Sequence, residues 1–314
     1  MYAFILRRIL YAVPIALGVT LVCFGLVHLA PGDPLSAVLP DNATPEVAAQ
    51  IRAAYGFDRP LPVQYVIWLG NVLSGDLGVS IQSRRPVLGE VLPAVGNTLL
   101  LALFASILGF VAGVTLGALA GFRQGTLTDR VVTGFAVTGV SVPHYWLGMV
   151  FVVVFSVNFG WLPAMGMGSG DAIFSVETLR HMILPVITLS LIPAGIIARS
   201  VRATVAEVSR REFVETLHAK GMPRNAVTLH VAKNAAPTVL AVTGLQLAQL
   251  LGGSILVETV FSWPGAGFLL NSAIFTRDLP LLQGTILVLA LFFVFTNLIV
   301  DVLQTLLDPR MVRN

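Results

Sequence analysis

The sequence has 314 residues, of which 56% are apolar and 11% are charged, and its mean hydropathy is +0.86. Soluble domains usually carry about 25% charged residues, so this composition excludes an ordinary water-soluble fold and indicates a membrane protein. The net charge of +3 is too small for a typical nucleic-acid-binding protein, and the single cysteine, Cys23, excludes a disulfide framework.

Six apolar stretches follow one another along the chain, each long enough to be considered as a membrane span. A bilayer core about 30 Å thick needs about 20 apolar residues in a helix, because backbone groups in lipid must be hydrogen bonded within their own segment. The stretches are residues 9–30, 98–121, 131–159, 182–198, 238–257 and 281–307. The sequence therefore predicts an all-α polytopic membrane protein with six transmembrane helices.

The distribution of basic residues predicts the orientation of these spans. The first span is expected to be uncleaved, because its apolar run is longer than that of a signal peptide. Six spans place both termini on one side, and thirteen of the 19 basic residues fall on that side. By the positive-inside rule, both termini and the loop at about 199–237 are expected in the cytoplasm.

One long hydrophilic segment, residues 31–97, divides the chain into three predicted parts. Residues 1–30 comprise the N-terminal segment and the first span. Residues 31–97 contain eight prolines and are long enough for an outer cap domain with helices of its own. Residues 98–314 form the predicted transmembrane core, which includes the cytoplasmic loop.

A glycine repeat marks the second span. Gly109, Gly113, Gly117 and Gly121 recur every four residues, so they share one helix face. Small residues at this spacing let a second helix approach closely, which predicts a helix-packing face.

The cytoplasmic loop is predicted to contain two short helices. In the first, Phe213, Val214 and Leu217 form a narrow apolar stripe among charged residues, and Gly221 can end the helix in a left-handed conformation. A second helix can begin near Pro223 and end before Pro237 returns the chain to the membrane.

This loop resembles the coupling loop, or EAA loop, of the inner-membrane permease subunits of bacterial ABC importers. In that pattern a Glu-Ala-Ala triplet precedes a glycine, and Glu215, Thr216, Leu217 and Gly221 occupy those places. Thr216 and Leu217 depart from the two alanines, so the glycine spacing and the downstream K-N-A at 233–235 carry more of the resemblance. The residues that it implies for coupling to an ATPase are Glu212, Glu215, Thr216, Lys220, Gly221 and Asn234.

Further motifs resemble the dipeptide, oligopeptide and nickel permease group. They are P-G-D-P at 31–34, Y-G-F-D-R-P-L at 55–61, G-D-L-G-V-S at 75–80, E-T-V-F-S-W-P-G-A-G at 258–267 and R-D-L-P at 277–280. Of the two permease types in that family, the chain is similar to the first, the dipeptide permease B type, and also to the glutathione permease subunit.

The resemblance implies a subunit of the bacterial inner membrane that translocates di- or oligopeptides. The implied partners are a second homologous permease subunit, two cytoplasmic ATP-binding subunits and a periplasmic or lipid-anchored solute-binding protein, in a bilayer of membrane lipid. ATP and Mg would be bound by the partner subunits, and no cofactor by this chain. The glycines and aspartates of the outer motifs are typical of turns. Outer residues that would meet the binding protein are Asp33, Asp76, Arg277 and Asp278.

Polar residues within the apolar stretches are candidates for the substrate pathway, because polar groups are unfavourable in lipid and must face protein or water. Gln246 and Gln249 are the strongest candidates, since they lie three residues apart on the fifth span. The other candidates are His144, Asn271 and Trp263. Hydrogen bonding between helices is the alternative explanation for each of them.

Several other functions compete with this interpretation. The lysines are Lys220 and Lys233, neither in a phosphate-binding loop, so the chain is predicted to have no ATPase site; catalytic and metal-site motifs are also missing from the sequence. A nickel permease is the main alternative. An ion-coupled transporter would place acidic residues at mid-membrane, a membrane hydrolase would need Ser141 beside His144, and a scaffold would have no transport activity.

Overall fold

The computed structural model describes residues 2–29, 44, 46, 58–168 and 175–307. These residues form helices and loops, with one isolated antiparallel bridge between Val79 and Pro86 and no strand within the described ranges. The helices are α1 (Tyr2–Leu29), α2 (Leu61–Leu73), α3 (Val87–Phe122), α4 (Leu127–Ser141), α5 (His144–Phe151), α6 (Val176–Val208), α7 (Glu212–Ala219), α8 (Arg224–Val260), α9 (Ala266–Thr276) and α10 (Leu279–Leu307). The predicted all-α fold is confirmed.

Length and hydropathy identify the helices that can cross a membrane. Among the described residues, α3, α6 and the Leu279–Ile299 part of α10 qualify, and the pair α4 and α5 makes a fourth candidate if it forms one span. Three further apolar helical segments are shorter: the Leu10–Gly25 part of α1, the whole of α2 and the whole of α9. Three or four of the expected spans are therefore supported by this criterion, and the count of six stays a prediction.

The stretch predicted as the third span, residues 131–159, consists of two helices. The axes of α4 and of α5 with its continuation are bent by 100° where they meet. Val142 takes an extended conformation (φ −91°, ψ 131°), because the ring of Pro143 disfavours helical geometry in the preceding residue. After the bend, α5 continues as a π-helical segment, Val152–Asn158.

Helices occupy much of the region expected to be the loop at 199–237. The N-terminal part of this region belongs to α6, and α7 follows as the first short helix that the sequence predicts. The prediction of a separate second short helix is wrong, because α8 is continuous from Arg224 through Pro237 to Val260. Prolines inside long helices are tolerated in membranes, where neighbouring groups satisfy the freed backbone carbonyl.

The described chain separates into two compact units. The first unit comprises Met1–Asn97 and Pro264–Leu298. Within it, the Tyr65 hydroxyl of α2 lies 2.8 Å from the Thr20 hydroxyl of α1, and the rings of Tyr65 and Trp68 pack around Phe24. The Gln283 side chain of α10 donates to the Cys23 carbonyl oxygen at 3.3 Å. Polar and aromatic contacts thus join α1, α2 and α10.

The second unit comprises Thr98–Trp263 and Ile299–Asn314. Its α3 and α6 approach each other so closely that a Cβ atom at Gly117 would lie 2.5 Å from the Ala198 carbonyl oxygen and 2.8 Å from the Val201 Cβ. A Cβ atom at Gly113 or Gly121 would lie 2.7 Å or 2.8 Å from the nearest α6 side chain. The helix-packing face predicted from the glycine repeat is confirmed.

Candidate functional site

The predicted coupling helix is α7, and a Schellman motif ends it. The Gly221 amide donates to the His218 carbonyl at 2.9 Å and the Met222 amide donates to the Leu217 carbonyl at 3.2 Å. Gly221 has φ of +70°, which glycine adopts without steric strain. Met222 and Leu217 both pack on the same apolar cluster, and such a contact frequently accompanies the motif. The predicted left-handed helix end is confirmed.

The apolar face of α7 rests on a cluster that we term the valine core. Its buried members on α6, α7 and α8 include Val201, Val205, Val208, Val214, Val227 and Val231. Phe213 and Leu217 pack against this core at its edge, so the apolar stripe predicted for the first short helix is confirmed. A displacement of α7 must therefore move α6 and α8 or expose apolar side chains of the core to water.

The opposite face of α7 is hydrophilic. All six residues predicted to couple to an ATPase are solvent-exposed. Glu212, Glu215 and Thr216 lie on α7, Lys220 and Gly221 follow it directly, and Asn234 lies on α8. Glu212 and Glu215 lie in the first turn of α7, where carboxylates interact favourably with the positive end of the helix dipole. The Asn234 side chain donates to the His230 carbonyl of its own helix at 2.8 Å. The structure thus presents this set on the surface, and its contact with an ATPase stays a prediction.

An ion pair joins α4 to α6 and was missed by the sequence analysis. The Arg202 guanidinium makes two hydrogen bonds to the Asp129 carboxylate, one through Nε and one from Nη2 to Oδ2 at 2.8 Å. The amide of Gly125 also donates to Asp129 Oδ2, at 2.9 Å. The sequence contains a local signal for Asp129, which lies three residues after the helix-capping Thr126, but none for its distant partner.

A cavity of about 170 Å³ is formed by residues of α5, α6 and α8 in the second unit. The lining residues are His144, Leu189, Ile192, Pro193, Gln246, Gln249, Leu250 and Gly253. At 1.5 Å per residue, Leu189 and Pro193 are each about 20 Å from the nearer end of α6. The cavity therefore lies beside the middle of this helix.

Three of the five predicted pathway residues meet at this cavity. The Gln246 Nε2 donates to Gln249 Oε1 at 3.3 Å, and the His144 Nε2 lies 3.2 Å from the Gly253 carbonyl oxygen. A carbonyl oxygen can only accept a hydrogen bond, so His144 is the donor and Nε2 carries a proton. The sequence analysis missed Leu189 and Pro193, which have no polar side chain to mark them.

The other two predicted pathway residues lie elsewhere. Trp263 is 0% exposed and packs with Phe261 and Leu101 in an apolar core of the second unit. It is not among the residues that line this cavity, and its role in the pathway stays a prediction. Asn271 is partly exposed on α9, in the first unit.

The predicted outer docking residues differ in exposure. Asp278 is 1% exposed and accepts hydrogen bonds from the Ser80 hydroxyl at 2.6 Å, the Gln82 amide at 3.1 Å and the Leu281 amide at 3.1 Å. It thereby joins the loop between α2 and α3 to the start of α10, and its burial does not favour direct docking. The sequence analysis missed Ser80 as its partner, since 198 positions separate the two residues.

Asp76 and Arg277 are exposed and remain open to a partner. The Asp76 carboxylate accepts from the Gly78 amide at 2.9 Å, and Gly75 and Gly78 have positive φ angles of 86° and 85°. This confirms the turn predicted from the G-D-L-G motif. Asp33, the fourth predicted docking residue, lies outside the described residues.

Comparison with known protein families gives two matches that together cover nearly the whole chain. The family described as "Binding-protein-dependent transport system inner membrane component" matches residues 113–313. The N-terminal membrane component of the same transport systems matches residues 1–102.

Curated relatives match over nearly their full length. The dipeptide transport system permease protein DppB of Alkalihalophilus pseudofirmus is 38% identical, and the match covers 99% of each chain. DppB of Escherichia coli strain K12 is 36% identical and the di/tripeptide transport system permease protein of Pseudomonas aeruginosa is 37% identical, each over 99% of this chain and 98% of the relative.

One solved structure supports the fold. An inward-facing form of the MetNI methionine ABC transporter matches 69% of this chain and 95% of its own chain, with a TM-score of 0.57. At 17% sequence identity this likeness concerns the fold alone.

Proposed function

Because the chain belongs to the family of binding-protein-dependent transport system inner membrane components, we propose that it is the permease subunit of an ABC importer for di- or oligopeptides. The observation that carries the proposal is the match to dipeptide and di/tripeptide permeases over 99% of this chain, at 36–38% identity. The chain is an integral protein of the inner membrane and transports rather than catalyses a reaction.

The partners follow from this role. A second homologous permease subunit completes the translocation pore, two cytoplasmic ATP-binding subunits bind and hydrolyse ATP with Mg, and a periplasmic or lipid-anchored binding protein delivers the peptide. Both termini lie in the cytoplasm and the chain crosses the membrane six times. Exposed Asp76 and Arg277 contribute to docking of the binding protein on the outer cap.

The coupling route runs through the valine core. Closure of the ATP-binding subunits pushes on the exposed acidic face of α7, and α7 transmits the movement to α6 and α8 because all three helices share this core. The middle parts of α6 and α8 also line the cavity, so the same movement changes its shape. Two sites are coupled when one structural element has two arrangements and an event at either site favours one of them. The three helices that share the valine core are such an element.

The proposal is tested by purifying the chain from its native membrane in a mild detergent and identifying the proteins that copurify by mass spectrometry. We expect a homologous permease and ATP-binding subunits, and ATP hydrolysis that rises when the binding protein and peptide are added. Purification of the chain alone, without ATP hydrolysis, would contradict the proposal. Stimulation by nickel rather than by peptide would assign the chain to nickel import.

A further inference from the structure

The cavity among α5, α6 and α8 combines apolar walls with two neutral side-chain amides. We propose that Gln246 and Gln249 hydrogen bond the backbone amide of the passing peptide, so that the cavity is a binding site for peptide bonds that does not read peptide side chains. This inference rests on the proposed function and names the part of the substrate that the chain contacts.

The burial of the Gln246 side chain is the first reason for this assignment. It is 5% exposed, and a buried primary amide is stable only when its polar groups are hydrogen bonded. Within the described part of the chain, the one hydrogen bond of its side chain is the 3.3 Å bond from Nε2 to Gln249 Oε1. That bond uses one N–H of Gln246 and leaves its Oε1 and second N–H for a ligand in the cavity.

The two amides match the chemistry of a peptide bond. A primary amide carries two N–H donors and one oxygen acceptor, and a peptide bond carries one donor and one acceptor. After the bond between the two glutamines, Gln246 Oε1 can accept from a peptide N–H, while the Gln249 amide nitrogen can donate to a peptide carbonyl. The pair therefore supplies both hydrogen bonds that a peptide bond loses when it leaves water.

The other lining residues do not match the charged ends or the side chains of a peptide. None of the lining residues that the structure describes is charged, so the ammonium or carboxylate end of a peptide would meet no opposite charge there. The His144 Nε2 proton is directed to the Gly253 carbonyl. Leu189, Ile192 and Leu250 provide apolar walls without a polar group that could select one peptide side chain over another.

The test compares two dipeptides that differ by one methyl group on the peptide nitrogen. Glycylglycine has a peptide N–H, and glycylsarcosine does not. Uptake of each is measured in right-side-out membrane vesicles that contain the complete transporter, are loaded with ATP and receive the binding protein. The variants are Gln246→Leu and Gln249→Leu. The control is Thr243→Val, which removes a polar group bonded to its own helix at the Val239 carbonyl.

We expect Gln246→Leu to lower glycylglycine uptake about fivefold to tenfold, the effect of one hydrogen bond, and to lower glycylsarcosine uptake less. The ratio of the two uptake rates therefore falls in this variant and stays at the wild-type value in Thr243→Val. The binding protein discriminates equally in every variant, so a change in the ratio reports on this cavity. We expect Gln249→Leu to lower the uptake of both dipeptides, since its amide donates to the carbonyl that they share.

Equal losses for both dipeptides in Gln246→Leu, or no loss in either glutamine variant, would overturn the inference. Peptide-stimulated ATP hydrolysis by each variant shows that the complex is assembled. Gln249 is exposed and lines the cavity, so Gln249→Leu provides a second test if Gln246→Leu does not assemble. Absence of peptide uptake by the wild-type vesicles would instead contradict the proposed function, and the inference with it.

Discussion

Gly221 determines where α7, the proposed coupling helix, ends. Its φ of +70° closes the Schellman motif of α7 and directs the chain toward Pro223, which precedes α8. A Cβ atom added at Gly221 would meet no atom within 4 Å, so a substitution there changes the backbone conformation without creating a clash.

Replacing Gly221 by valine is expected to uncouple transport from ATP hydrolysis. A β-branched residue in the left-handed conformation costs about 1–2 kcal/mol, so the end of α7 rearranges. Peptide uptake should fall about tenfold while ATP hydrolysis continues. Gly221→Asn is the matched control, because asparagine tolerates this conformation and should keep uptake near the wild-type value. Uptake by Gly221→Val equal to that of the control would contradict the role of this turn.

Local chemistry explains which residues of the site could be predicted. The roles of Gly221 and Pro223 were predictable because each residue shapes the backbone at its own position. The turn at Asp76 was predictable for the same reason. The burial of Asp278 and the pairing of Arg202 with Asp129 depend on residues far away in the sequence, for which a single sequence contains no signal.

At the scale of helices, the close contact between α3 and α6 makes the glycine face a structural requirement. Gly117→Ala is expected to destabilise the protein, because its Cβ would overlap the Ala198 carbonyl oxygen at 2.5 Å. Overpacking of this kind costs about 1–3 kcal/mol. Thermal unfolding of the purified complex measures the effect as a lower midpoint temperature.

Gly96→Ala on the same helix is the control for this substitution. A Cβ atom at Gly96 would meet no atom within 4 Å, so alanine adds helix propensity of about 1 kcal/mol without a clash. The midpoint temperature should stay the same or rise. Equal behaviour of the two variants would contradict the close packing of α3 on α6.

The helices themselves were only partly predictable. Apolar runs located the long helices, because hydropathy reports what lipid requires of a span. They did not reveal the bend between α4 and α5 at Pro143, or the continuation of α8 through Pro237, since a proline can either break a helix or be accommodated by its neighbours. The cavity was predictable only from its polar residues.

The orientation of the whole molecule can be tested with single cysteines. Cys23 is buried, so Cys23→Ser gives a background for Lys220→Cys and Arg85→Cys, both at exposed positions. An impermeant maleimide should label position 85 from the periplasmic side and position 220 from the cytoplasmic side. Labelling of both positions from one side would contradict the predicted topology.

We propose that ATP hydrolysis drives peptide import through this subunit, and dipeptide uptake into proteoliposomes that contain the reconstituted complex and its binding protein tests this directly. We expect uptake against a gradient when ATP is supplied to the ATP-binding subunits, and none when a proton or sodium gradient is imposed without ATP. Uptake driven by an ion gradient in the absence of ATP would contradict ATP-driven import and identify an ion-coupled transporter.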